Sequence, residues 1–214
     1  MGKVRFLSVI FLLPVSMFLQ AQSMHALWVM MPDSILPYLS KDQRKEMIER
    51  ADQGSRPFVN NLFKVNSVID SVTNRYLSAT ISESLRIQLR LLPSTQGDSL
   101  LCMVRTFLAP EAESELHFYT RQWTEVLIKH CFERGRSLQE LAPSLIVKPD
   151  SMSESRFAEL KQLIDPIMVS ASLSPENDSV DVSLSLPLLT EDERKQINTI
   201  ILQRKFNWNG ATFN

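Results

Sequence analysis

Residues 85–91, Leu-Arg-Ile-Gln-Leu-Arg-Leu, alternate apolar and polar side chains without a break. A period of two puts Leu85, Ile87, Leu89 and Leu91 on one face and Arg86, Gln88 and Arg90 on the other, which is the geometry of a strand and not of a helix. Residues 93–99, Pro-Ser-Thr-Gln-Gly-Asp-Ser, supply turn chemistry, and the run that follows, Leu-Leu-Cys-Met-Val-Arg-Thr-Phe, is apolar on both faces and needs cover on both. The same alternation predicts strands at 65–72, 75–81, 84–92, 99–108 and 115–121. The links between them are too short for parallel crossovers, which need about a dozen residues or more, so neighbours are antiparallel.

Two helix starts use the same chemistry. In PYLSKDQRKEMIE, residues 37–49, Ser40 precedes Gln43 by three positions; in PLLTEDERKQINT, residues 187–199, Thr190 precedes Glu193 by three. Each pair is a capping box, in which the hydroxyl accepts from one orphan amide and the longer side chain reaches back to another. The first motif precedes its hairpin and the second follows one, so repeated capping, not duplication, explains the echo. Helices are expected near 40–53, with Met47 and Ile48 inward, near 190–203, with Ile197, Ile200 and Ile201 inward, and near 153–165. This last carries Phe157, Leu160 and Leu163 or Ile164 on one stripe and is stopped by Pro166.

Between the last two helices lies a hairpin in which Val169, Ala171 and Leu173 face Leu184, Val182 and Val180, leaving Ser170, Ser172, Asp181 and Ser183 outside. Residues 205–213 predict a closing strand with an Asn-Gly turn, and Trp123, Trp208, Phe206 and Phe213 read as core or seam. Residues 122–150 are the least periodic and yield only one or two helical turns at Ser137–Glu140 and a short strand after Ser144. The expected fold class is α+β: a twisted antiparallel β-sheet of roughly seven to nine strands with helices packed mainly on one face. The pattern is also compatible with two similar lobes, 22–148 and 149–214, in the manner of the helix-and-sheet repeats of a β-lactamase-inhibitor-like fold.

The chain opens with Lys3 and Arg5, an apolar run from Phe6 to Leu19, and then small or polar residues. That is the layout of a secretory signal peptide. The run has 14 residues and contains Pro14 and Ser16, whereas a membrane-spanning helix takes roughly 20 apolar residues. Cleavage after Ala21 is expected, leaving a single domain over 22–214, exported to the periplasm or the cell exterior with no integral membrane segment. No cysteine precedes Cys102, so the lipoprotein route is closed. Without the leader the chain holds 21 cations against 24 carboxylates, a balance that indicates neither nucleic acid nor a polybasic membrane contact.

Cys102 and Cys131 admit two main readings in an oxidising compartment. One is a disulfide closing a loop of about 30 residues and contributing about 3 kcal/mol; the other is a pair of buried thiols. A reactive thiol is the remaining option, because His130 adjoins Cys131, although adjacent side chains diverge on either a helix or a strand. His25, His117 and His130 lack the spacing and companion ligands of a metal site, and no glycine-rich loop for a phosphate cofactor occurs, so neither metal nor cofactor is expected. Arg86, Arg90, Arg105, His117, Tyr119 and Arg121 were they to share one sheet face would suit an anionic ligand or acidic partner. The plainer account is a solvated face offset by Glu83 and Glu115.

The export leader, the MPDSILPYLSKDQRKEMIE segment, the SESLRIQLRLLPS hairpin with DSLLCMVRTF, and the terminal LLTEDERKQINTIILQRKFNWNGATF together resemble the secreted bacterial family known as domain of unknown function 3256. The resemblance spans the mature chain and implies an exported, single-domain protein of Gram-negative gut or oral anaerobes. It carries no catalytic residues with it. The expected function is a non-catalytic periplasmic or surface module that binds a protein or envelope component. The alternatives are a thiol-dependent hydrolase using Cys131 or Cys102 with His130 or His117, and a structural envelope protein.

Overall fold

The structure is a computed structural model that describes residues 23–214 apart from Gln96, Pro187 and Leu188. The expected leader, residues 1–21, lies outside the described residues. Among the described residues nine strands form two antiparallel sheets, and with the helices they make an α+β fold. Strands β1 (Phe58–Asn60), β2 (Asn66–Val72), β3 (Tyr76–Ser82), β4 (Leu85–Ser94), β5 (Gly97–Phe107) and β6 (Glu113–Tyr119) follow one another in chain order across the larger sheet. Strands β7 (Met168–Leu173), β8 (Ser179–Ser185) and β9 (Arg204–Asn207) form the smaller. The five strands expected between 65 and 121 agree with β2–β6 to within two residues at every end.

Why two sheets form rather than one follows from β5. Its odd-numbered residues Leu101 and Met103 sit in an apolar cluster with Ile87 and Leu89 of β4. Its even-numbered residues Cys102 and Val104 sit in another with Phe118, Val169, Val180 and Phe206. A strand apolar on both sides needs a layer on both. One layer is helical: α1 (Met24–Met30) and α2 (Lys41–Asp52) bury Leu27, Trp28 and Met47 on the Leu89 side. The other is the β7–β9 sheet with the 3-10 turns of Gln139–Leu145.

Helix α2 starts at the expected capping box: Gln43 N–H donates to Ser40 Oγ, and Ser40 N–H to Gln43 Oε1 at 3.0 Å. Thr190 and Glu193 do the same for α4 (Glu191–Ile197), while α3 (Glu154–Gln162) is capped by Ser153. Helix α4 stops before the expected 203. Ile201 instead bridges Ile146, Val147 N–H donates to Ile200 O at 2.7 Å, and Leu202 N–H donates to Leu145 O at 2.8 Å. Extended pairing buries Ile200 beside Leu160, Ile164 and Ile197 as well as another helical turn would. At the C-terminus the Asn-Gly turn forms as expected, and a Cβ on Gly210 would lie 2.6 Å from Thr95 Cγ2.

Two buried arginines hold these layers together. Arg44 of α2 donates to the carbonyls of Trp28, Met31 and Leu39 and to Asp33 Oδ1 at 2.9 Å. Trp28 O also accepts the C-cap N–H of Met31 at 3.4 Å, so the guanidinium completes the cap at the end of α1 and ties down residues 31–39. Arg90 of β4, 4% exposed, donates to Asp178 Oδ1 and to the carbonyls of Ser174 and Pro175, each at 3.0 Å. Those acceptors belong to the β7–β8 turn, so Arg90 clamps the smaller sheet onto the larger.

Gln88 extends that seam, donating to Ser172 Oγ at 3.2 Å and accepting from Leu173 N–H at 3.1 Å. Ser114 of β6 accepts from Ala171 N–H at 2.9 Å. Replacing either buried arginine by methionine leaves backbone carbonyls desolvated and unpaired, while Asp178 keeps its bonds to Arg75 at 3.2 Å. Arg44→Met and Arg90→Met are each expected to lower stability by about 3–5 kcal/mol in urea unfolding, against no more than about 0.5 kcal/mol for Arg86→Met on the exposed end of the same strand face.

Candidate functional site

The six residues expected to share a polar face do not share one. Arg86 pairs across the ladder with Thr106, Arg90 with Cys102, Ile87 with Arg105, Met103 with His117 and Leu101 with Tyr119. Directly opposed residues point the same way, so even-numbered residues of β4, β5 and β6 share one face and odd-numbered residues the other. Arg86 and Arg90 therefore face the smaller sheet, whereas Arg105, His117 and Tyr119 are on the helix side. Arg121 lies beyond β6 in the following turn, 3.7 Å from Asp98. The constellation joins residues of opposite parity, and the register separates them.

Arg105, His117 and Tyr119 each have structural company. Arg105 donates to Ile35 O at 3.0 Å and lies 3.9 Å from Glu115. His117 sits between Glu115 at 3.3 Å and Glu125 at 3.9 Å. Tyr119 packs on Trp123 with ring centroids 5.3 Å apart, and burial raises its phenol above the ordinary value, with Glu125 adding to the effect.

Cys102 and Cys131 are free thiols, both buried in the cluster that joins the sheets. Burial raises Cys102 well above the ordinary thiol range, and the neighbouring Cys131 adds to it. Burial likewise pushes Cys131 up to about 12. His130 is exposed and turned to Glu140 at 3.6 Å, so its ring is engaged away from the thiol beside it in sequence. Among the described residues no group of three or more His, Cys, Asp and Glu is placed to hold a metal ion.

A cleft that the sequence did not disclose lies beside β6. It encloses about 390 Å³ and is lined by Leu116, Phe118, Val126, Ile128, Cys131 and Leu138, with His117, Glu125 and Lys129 also on its walls. Val126 N–H donates to Phe118 O at 2.8 Å, and Gln139 Nε2 donates to Ser114 O at 3.2 Å. Those two carbonyls thus point away from β5, and alternation makes the N–H and C=O of Leu116, midway between them, do so too. Leu116 has no backbone partner on that side among the described residues. Leu127 also lines the cleft and is 77% exposed. The one signal in the sequence was the run Val126-Leu127-Ile128 inside an otherwise aperiodic stretch.

Among the described residues no helix is long and apolar enough to cross a membrane. No protein with a curated description matches the chain. Among solved structures it is similar to a domain of an uncharacterized protein from Porphyromonas gingivalis W83, with a TM-score of 0.67 at 19% identity over 89% of this chain and 96% of that one. At that identity the likeness is one of fold. A family model described as "Protein of unknown function (DUF3256)" matches residues 16–213. The match takes in almost the whole sequence, and the chain belongs to the DUF3256 family.

Proposed function

We propose that this chain is an exported, non-catalytic binding module of the periplasm or cell surface that engages a protein or envelope component. The observation that carries this reading is the cleft beside β6. It combines an apolar floor, a strand-edge N–H and C=O at Leu116 that have no backbone partner among the described residues, and the exposed Leu127. An extended partner segment recognised there would bond to the strand edge and seat an apolar side chain in the cleft, the usual division between main-chain affinity and pocket specificity. The leader-like residues 1–21 support export. The alternative, a thiol-dependent hydrolase, needs a thiolate near neutral pH beside an imidazole. Burial of both thiols opposes the first requirement; His130, turned to Glu140, and His117, which lines the same cleft as Cys131 but sits between Glu115 and Glu125, oppose the second.

Two measurements separate these readings. Leu127→Glu alters an exposed side chain and should leave melting unchanged while reducing retention of an envelope component on the immobilised protein by about tenfold; equal retention removes the cleft from the account. Thiol modification by an aromatic disulfide at pH 8 should be slow in the native protein, and a thiol that reacts within seconds would restore the enzyme reading. The linkage sign follows from a raised folded-state value. Stability from the neutral Cys131 thiol is complete below about 9 and is lost as pH rises toward about 12. Cys131→Ala should accordingly flatten the alkaline fall in the melting temperature.

A further inference from the structure

The link between β1 and β2 places Leu62 and Phe63 side by side at 61% and 66% exposure, with Val65 at 38%. Among the described residues no other two consecutive large apolar side chains are both so exposed. A loose loop could fold these residues back, but this one is fixed from beneath. Asn61, buried, accepts from the N–H groups of Phe63 at 2.9 Å and Val65 at 3.2 Å. Its amide donates to Ser67 Oγ at 3.2 Å and Ile81 O at 3.1 Å. Leu62 N–H donates to Tyr38 O at 3.0 Å, and the Tyr38 ring lies 5.4 Å from that of Phe63.

Lys64 completes the tip. It holds a left-handed backbone with φ of +61°, a conformation that glycine or asparagine adopts at lower cost. It makes no ion pair among the described residues, and its side chain is exposed. A tip braced by Asn61, with two exposed apolar side chains, a cation between them and Val65 that has no ion pair among the described residues, and a tyrosine packed on Phe63, has the chemistry of an interfacial membrane contact. The apolar groups enter the acyl boundary, the ammonium meets lipid phosphate, and the tyrosine lies at headgroup depth.

We propose that the Asn61–Val65 tip docks this protein on an anionic phospholipid surface. Leu62 and Phe63 stand exposed immediately before Lys64 in the chain, and Lys64 supplies the charge that phosphate complements. The cations and carboxylates of the chain nearly balance, so the contact is local to the tip and reversible, and it is independent of the cleft beside β6.

The test is co-sedimentation of the mature protein with vesicles of phosphatidylcholine and phosphatidylglycerol, roughly three to one, and with phosphatidylcholine alone. Binding is expected to the mixed vesicles, to fall about tenfold or more in Leu62→Ser/Phe63→Ser, and to fall about fivefold in Lys64→Glu. All three side chains are exposed, so melting temperatures should match the parent. Wild-type protein that sediments with mixed vesicles no better than the double variant overturns the proposal. So does a tip-dependent dimer in sedimentation velocity without vesicle binding, which would assign the tip to a second copy.

Discussion

Everything on the inner side of the larger sheet depends on how Arg90 is satisfied. A guanidinium taken out of water costs several kcal/mol unless its donors are filled. Here Asp178 and two carbonyls of the β7–β8 turn fill them. The arginine thereby fixes where that turn sits, and with it the hairpin whose apolar face covers Cys102, Val104 and Phe118. Gln88 and Ser114 add bonds to the same hairpin, so a polar seam specifies the docking that apolar contact alone would leave free to slide. Arg44 performs the matching task on the other face, capping α1 and fastening it to α2.

Much of this was legible from local chemistry. Both capping boxes form on the residues named for them, and the late hairpin has the expected register, Val169 opposite Leu184 and Leu173 opposite Val180. Such features depend on neighbours three residues apart or on a single turn. What failed depended on longer range. The polar side of Leu-Arg-Ile-Gln-Leu-Arg-Leu reads as solvated because its partner, the 174–178 turn, is more than eighty residues away. Helix α1 escaped notice because Ser23, its N-cap, falls where a leader is expected to end. The arginine-bearing face was lost to parity: 86 and 90 are even, while 105, 117 and 119 are odd.

The site chemistry carries the same lesson. Residue types that suggest recognition or nucleophilic attack in a sequence are here occupied in architecture: Arg90 in a seam, Arg105 on a loop carbonyl, both thiols in the packed core. The proposed binding function rests instead on surfaces that periodicity does not mark, above all the 124–139 region beside β6. That stretch is stabilised by single bridges and side-chain bonds rather than by regular elements, as with Tyr119 and Glu125, or Gln139 and Ser114.

Native-state hydrogen exchange on Asp178→Asn against the parent tests most directly whether the clamp unites the two sheets. The substitution keeps the shape and removes the charge that Arg90 and, from the exposed side, Arg75 both face. If the seam binds the layers into one cooperative unit, amides of β4, β7 and β8 should lose protection together and by the same factor, about tenfold for each 1.4 kcal/mol lost. Faster exchange confined to residues 174–178, with β7 and β8 as protected as before, would contradict it.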